Sequence, residues 1–173
     1  MQMVKNISII LVSLWFALLA FMPKEELYYA LEHKLVDYGI ELNEHNIKSG
    51  LFSLEISDID IYVEGIKIAH INQMDFFITL FFNKLNISDI ILDSSIKSLI
   101  HLDIQQIQNA NLVYSIISPQ KADISLEGDF GNATGYININ RVLHLNFSMT
   151  KNLNSFKNIL EKDDNGWYYE TKF

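Results

Sequence analysis

The stretch "LFSLEISDIDIYVEG", residues 51–65, carries the pattern that decides the fold. Apolar residues occupy alternate positions from Phe52 to Ile56, and the alternation resumes on the other parity from Ile59 to Val63. A period of two is typical of a β-strand with one buried face. The change of parity at Ser57–Asp58 predicts a bulge or break within this strand, and Glu64–Gly65 predicts a tight turn after it.

The same period begins at Ile40 and continues through most of the chain, which predicts a mainly β fold with a curved antiparallel sheet. The segment "MDFFITLFF", residues 74–82, is apolar on both parities, which predicts a strand covered on both faces before a turn at Asn83–Lys84. Further strands are expected near residues 98–107, 111–117, 122–130, 134–140 and 142–149, and a last strand over 167–173. A short C-terminal helix is predicted over Ser155–Glu161.

Upstream of the strands, the pattern predicts a short amphipathic helix over residues 24–38. Leu27, Leu31 and Leu35 follow one another at spacings of four and form one apolar stripe. Pro23 is tolerated at a helix start, and Gly39 fits the position that ends a helix. We expect this helix to lie as a lid on one end of the sheet. The alternative is that it lies on a membrane surface.

The N-terminal segment is predicted to be a membrane anchor. Residues 7–22 contain no charged side chain and would form a helix of about 24 Å, slightly shorter than a hydrocarbon core of about 30 Å. Lys5 and Lys24 flank this run, and both can extend to the lipid headgroups. A signal peptide would need small residues before its cleavage point, and no clean A-x-A is present. A buried core helix is the remaining alternative.

The distribution of charge predicts the orientation of this anchor. Lys5 precedes the apolar run and Glu25–Glu26 follow it, so residues 1–5 are expected in the cytoplasm. The prediction is therefore an anchor over residues 1–23 and one β-rich domain over residues 24–173 on the outer side of a bacterial inner membrane, in the periplasm.

The composition limits the classes of function. The 173 residues carry a net charge of −8, and the part from Lys24 onward has 12 basic against 21 acidic residues, a net charge of −9. An acidic body without a basic stripe argues against nucleic acid as a partner and against peripheral binding to anionic lipid. The chain has no cysteine, so thiolate catalysis and disulfides are excluded.

The order of these segments resembles that of a known family. "GIEL" (39–42), "GLFSLEISDIDIYVEGIKIAHINQMDFFITLFF" (50–82) and "LNISDIILDSSI" (85–96) follow an anchor and a short helix, as in AsmA-like envelope proteins, and most of all in the general secretion pathway protein N type of type II secretion systems. "ISLEGDFGNATGYINI" (124–139) and "NGWYYETKF" (165–173) are similar to the late strands of that family. The resemblance implies a periplasmic sheet that curls into an apolar groove or half-barrel, and a role in lipid traffic or secretion.

No catalytic or metal-binding motif appears, so we expect a protein that is not an enzyme and needs no cofactor or metal. The histidines are scattered along the chain without a spacing typical of metal ligands: His33, His45, His70, His101 and His144. The aspartate pairs Asp58/Asp60 and Asp89/Asp93 are interpreted as solvated strand or turn residues. The glycines at 128, 131 and 135 do not precede a helix, which favours bulges or tight turns over a phosphate loop.

Two hypotheses of function remain open. In the first, one apolar face of the sheet binds the acyl chains of phospholipids, and its walls include Phe52, Leu54, Ile56, Phe76, Ile78, Leu80 and Phe82. In the second, the same side chains form an ordinary core, and the protein is a small scaffold subunit of a secretion system or another envelope machine. A closed sandwich would favour the second hypothesis and an open apolar face the first.

Overall fold

The computed structural model describes residues 2–79, 81–94, 106–148, 159–163 and 166–173. It contains an N-terminal apolar helix, a second helix and ten strands. The elements are α1 (Gln2–Ala20), α2 (Lys24–Val36), β1 (Ile40–Ser49), β2 (Ser53–Val63), β3 (Ile66–Ile78), β4 (Phe82–Leu92), β5 (Gln106–Ser115), β6 (Lys121–Gly128), β7 (Gly131–Asn138), β8 (Val142–Phe147), β9 (Glu161–Asp163) and β10 (Gly166–Lys172).

The strands form one antiparallel sheet that does not close on itself. Their order is β1-β2-β3-β4-β5-β6-β7-β8-β10-β9, so β1 and β9 form the two edges. Neighbours along the chain are neighbours in the sheet as far as β8, after which β10 pairs with β8 and β9 pairs with β10. The predicted mainly β fold with an open antiparallel sheet is confirmed.

The turns follow the local chemistry of the sequence. The turn predicted at Glu64–Gly65 is present, and both residues have positive φ angles, of 51° and 79°. This conformation matches the right-handed twist of the two flanking strands. Gly39, with φ of 74°, ends α2 as predicted, because its N–H donates to the Val36 carbonyl at 2.9 Å.

The prediction of one strand over residues 74–82 is wrong. β3 ends at Ile78, and the backbone N–H of Thr79 donates to the Phe82 carbonyl, which closes a hairpin. The Thr79 hydroxyl accepts from the Phe82 N–H at 3.0 Å and secures the same turn. The turn therefore precedes Asn83–Lys84. The apolar run was misinterpreted because it contains the end of one strand, a turn and the start of the next.

Two other predictions fall largely outside the described residues. Residues 98–105 of the strand predicted over 98–107 are not described, and Gln106 begins β5. Residues 155–158 of the predicted C-terminal helix are not described either, and its last residue, Glu161, begins the short strand β9.

Helix α1 is long and apolar enough to span a membrane, by its length and composition. Nearly all its side chains are exposed, and Leu19 is its buried residue, which argues against a buried core helix. Lys24 does not extend outward as expected. It is buried, and its Nζ donates to the Leu19 carbonyl at 3.1 Å, so it satisfies one of the carbonyls left free at the end of α1.

Candidate functional site

A row of paired polar residues crosses the first five strands. Successive polar residues replace the alternation here in each strand: His45–Asn46, at the end of the polar run 43–46, and then Ser57–Asp58, Asn72–Gln73, Ser88–Asp89 and Gln108–Asn109. The sheet register sets these pairs side by side. Asp58 and Asp89 have positive φ angles, of 56° and 55°, so the strands bend locally here.

Hydrogen bonds between neighbouring strands support this row. His45 Nδ1 lies 3.0 Å from the Asp58 carbonyl, and Asn72 donates to Asp89 at 3.4 Å. All five strands change parity where this row crosses them. Their apolar side chains therefore lie on the same face of the sheet on both sides of the row. The bulge or break predicted at Ser57–Asp58 is present only as a local bend, because Asp58 has a positive φ angle while β2 continues in the same register. The register shift between β2 and β3 lies at Ile61/Tyr62 instead.

The result is a sheet with one apolar and one polar face. Paired residues of neighbouring strands lie on the same face, and the register places apolar residues opposite one another from β1 to β10. One such row, which we use to define the apolar face, is Ile47, Ile56, Met74, Ile87, Ala110, Leu126, Ala133, Phe147 and Trp167. The next row on the opposite face contains Lys48, Glu55, Asp75, Asn86, Asn111, Ser125, Thr134, Asn146 and Tyr168.

Two clusters cover parts of the apolar face. Tyr28 of α2 packs with Ile56 and Ile59 over the first strands. At the other side of the sheet, Phe130 and Leu160 pack with Ala133. The described residues form a single sheet, so no second sheet layer among them lies over this face.

Between the clusters and toward one end of the strands, four of the half-buried apolar side chains belong to neither cluster, and the neighbouring Leu145 is buried. The four are Leu112, Ile124, Ile137 and Leu143, which we call the open stretch. They lie on the apolar face by register, and each is half-buried. The open stretch is therefore the part of the apolar face that neither cluster covers among the described residues.

The structure brings four of the predicted groove residues to the apolar face: Leu54, Ile56, Phe76 and Ile78. Phe82 lies on the polar face by register, Phe52 lies in the bend before β2, and Leu80 is outside the described residues. Leu54 and Ile56 are 2% and 0% exposed, so they are inaccessible in the structure. Their role, like that of the other candidates, stays a prediction.

The lid residues are arranged differently from the expected stripe. Leu27 and Leu31 are each about half exposed and Leu35 is half-buried, whereas Tyr28 makes the contact of α2 with the core. The lid role of the leucines stays a prediction. Tyr28 was missed because the periodicity of the leucines indicated a different face of the helix. The open stretch was missed because its residues appeared only as ordinary strand positions.

The contact between α2 and β1 has a polar rim. The Tyr28 hydroxyl donates to Glu44 Oε2 at 3.4 Å. Burial, followed by the Glu44 charge, raises the pKa of Tyr28 well above its usual range, so the phenol stays protonated. Burial and Glu44 also raise the pKa of Glu32. An ionised Glu32 is thus disfavoured beside Glu44.

The polar face carries ion pairs without a metal site. Asp60 accepts from Lys67 Nζ and from His70 Nδ1, both at 2.7 Å, and these bonds lower the pKa of Asp60. His144 lies between the rings of Tyr136 and Tyr168 and contacts Glu170 at 2.9 Å. His33 is exposed on α2, and His101 is outside the described residues. The described residues contain no group of three or more side chains that could hold a metal ion.

The glycine-rich part of the sequence allows close packing of two strands. A Cβ atom added at Gly135 would lie 1.8 Å from the His144 carbonyl oxygen of β8. Gly131, the first residue of β7, has a φ of 95° directly after the turn from β6. The expected tight turn is therefore present at Gly131, and Gly135 is needed for the approach of β7 to β8.

Comparison with known proteins gives no relative from which a role could be transferred: no family model, no curated protein and no solved structure matches the chain.

Proposed function

We propose that this is a membrane-anchored envelope protein, without enzymatic activity, whose apolar sheet face binds the acyl chains of phospholipids. The observation that carries the proposal is the open stretch on an apolar face that continues across the sheet. Ten strands at a spacing of about 4.8 Å give a face roughly 45 Å wide.

The physical chemistry of this face favours an apolar ligand. A bare apolar surface of several neighbouring strands in water is prone to aggregation. Each acyl methylene that it removes from water contributes about 0.8 kcal/mol, so a lipid tail binds without a specific polar contact. The polar residues of the opposite face leave that side free to be solvated.

The proposed location is the periplasmic side of a bacterial inner membrane. Helix α1 has the length and composition of a span, and Lys5 before it favours a cytoplasmic N-terminus. The resemblance of the strand pattern to AsmA-like proteins supports the same placement and a role in lipid handling or in secretion.

A second candidate function is that of a scaffold subunit in a secretion system or another envelope machine. Strand β1 favours it, because its ten residues form one edge of the sheet. Such an edge presents unpaired backbone groups that can pair with a strand of another protein.

The test uses two neighbouring residues on β6 that lie on opposite faces. The full chain is purified in a mild detergent, and co-purified phospholipid is measured by mass spectrometry. We expect bound phospholipid in the wild type and in Ser125→Asp, whose change lies on the polar face. Ile124→Asp places a charge in the open stretch and should lose the lipid.

Phospholipid equally present in both variants, or absent from the wild type, would contradict the lipid proposal. A lipid-free oligomer that dissociates when a proline replaces a residue in the middle of β1 would support the scaffold function instead.

A further inference from the structure

One end of the sheet carries exposed apolar side chains in each of its turns. Because the strands are antiparallel, the turns β1–β2, β3–β4, β5–β6 and β7–β8 share one end of the sheet. Phe173 follows β10 at the same end, since its N–H donates to the Arg141 carbonyl. The exposed side chains of this apolar end are Leu51, Phe81, Ile116, Ile117, Ile139 and Phe173.

The degree of exposure is unusual for such residues. Ile117 is 90% exposed, Ile139 71% and Phe173 64%. At the opposite end, Tyr38 and Ile66 are exposed, but the turn between β2 and β3 is Glu64–Gly65, and Phe130 in the turn between β6 and β7 is buried. A patch of large exposed apolar side chains is typical of a surface that contacts a membrane or another protein.

The two ends also differ in charge. Within the described turns of the apolar end and the two strand residues on each side of a turn, the charged side chains are basic: Lys48, Lys121, Arg141 and Lys172. One position further along the strands lie Glu55, Asp123 and Glu170. Glu55 is opposite Lys48 in register, and Asp123 pairs with Lys121 Nζ at 2.8 Å. At the opposite end, the turns with their flanking strand residues and the α2–β1 connection carry mostly acidic side chains. The acidic residues are Asp37, Glu41, Glu64, Asp93, Glu127, Asp129 and Asp163, and the basic ones are Lys67 and Lys162. The negative net charge of the chain conceals this separation.

Helix α1 leaves the sheet at the apolar end. The ring of Trp15 stacks on that of Phe81 at a centroid distance of 6.3 Å, and Phe16 contacts Phe52 at the same distance. Trp15 lies five residues before Ala20, the last residue of α1, which is about 7.5 Å along a helix axis. If α1 crosses a bilayer, Phe81 therefore lies at the depth of the boundary between headgroups and acyl chains.

From these observations we infer that the apolar end of the sheet docks onto the bilayer that α1 enters, with its apolar side chains in the interface and its basic side chains on anionic phospholipid headgroups. Aromatic and aliphatic side chains bind this zone, and nearby lysines and arginines are attracted to anionic lipid. The open stretch lies beside this end, at Ile137 and Leu143, so it opens toward the membrane. The inference rests on the proposed anchoring by α1.

The experiment uses the absence of cysteine from the chain. Single cysteines at Ile117 or Ile139, and at Ile66 of the opposite end as a matched exposed control, are labelled with an environment-sensitive fluorophore. The full chain is reconstituted into vesicles of phosphatidylcholine with or without phosphatidylglycerol. Retention in the vesicles after alkaline extraction first tests the anchor.

We expect the labels at Ile117 and Ile139 to show a blue-shifted emission, quenching by spin-labelled phospholipid and protection from aqueous iodide. The label at Ile66 should be quenched by iodide and not by the lipid. Labels at Ile117 and Ile139 that respond like the one at Ile66, in protein that resists alkaline extraction, would overturn the docking while leaving the anchor intact. Extraction of the protein would overturn the anchor, and the docking with it.

The charge is tested in the protein labelled at Ile117. The combined change Lys121→Glu, Arg141→Glu and Lys172→Glu should reduce lipid quenching in vesicles with phosphatidylglycerol to the level seen without it. The matched change Lys67→Glu and Lys162→Glu, at the opposite end, should leave it unaltered. Equal quenching in both variants would overturn the role of anionic headgroups.

Discussion

The apolar face makes a quantitative prediction about two isoleucines. Ile56 is 0% exposed beneath Tyr28, whereas Ile124 is half-buried in the open stretch. Truncation of isoleucine to alanine removes three methyl or methylene groups, about 2.4 kcal/mol of transfer free energy when all are buried. At Ile56 a cavity also remains, so the total loss should fall within about 2–5 kcal/mol.

At Ile124 no packed layer among the described residues lies above the side chain, so no cavity is created. Partial burial reduces the transfer contribution only to about 1.5–2 kcal/mol. The free energy of unfolding would be measured by urea denaturation of the full chain in detergent micelles, followed by far-UV circular dichroism. Leu126→Ala, in a neighbouring position packed against the second cluster, should give an intermediate loss.

Equal losses of stability in Ile56→Ala and Ile124→Ala would refute this reasoning. That result would mean that Ile124 is part of a packed core under a cover, and the open stretch could not accept a ligand.

Three further predictions concern topology, packing and pH. If α1 is the uncleaved anchor proposed above, an alkaline phosphatase fused after Phe173 should be active, and the product should stay full-length in the membrane fraction. Gly135→Ala should lower the free energy of unfolding by at least about 1–3 kcal/mol in the same urea assay, since its Cβ would meet the β8 backbone. Asp60→Asn should be less stable than the wild type at neutral pH and should lose less stability on acidification. The pKa of Asp60 is lowered by Lys67 and His70, so its contribution is present above about pH 3.9 and is lost as the pH falls through the lowered value.

Each of these has a result that contradicts it. A soluble product that begins near residue 23 would exclude the anchor. If Gly135→Ala has the same free energy of unfolding as the wild type, β7 and β8 can move apart to accommodate the Cβ atom without loss of stability. Parallel acid denaturation curves for the wild type and Asp60→Asn would show that the ion pair on the polar face does not contribute to folding.

Much of the fold could be predicted from local pattern. The alternation in residues 51–65 predicted a strand, its parity change and the turn at Glu64–Gly65, because these depend on neighbouring residues alone. The run over 74–82 was misassigned because apolar side chains occupied the turn as well as the strands. The folded structure explains why this turn is apolar, because its residue Phe81 contacts Trp15 of α1.

Only part of the candidate site could be predicted from the sequence. Alternation within each strand pairs Leu54 with Ile56 and Phe76 with Ile78, but the register between β2 and β3 brings the two pairs to one face. The two buried residues of α2, Lys24 and Tyr28, were not predictable from the helix pattern, since Lys24 bonds to the end of α1 and Tyr28 packs on the sheet.

The linear order of residues was enough to define an acidic, cysteine-free chain with an apolar N-terminal helix and an antiparallel sheet of alternating strands. Those properties follow from the composition and from the spacing of apolar residues, which depends on only a few neighbouring positions. The clustering of Lys48, Lys121, Arg141 and Lys172 at one end arises only in the folded chain. An antiparallel sheet gathers every second turn at one end, and so residues far apart in the sequence form one basic and apolar surface beside α1.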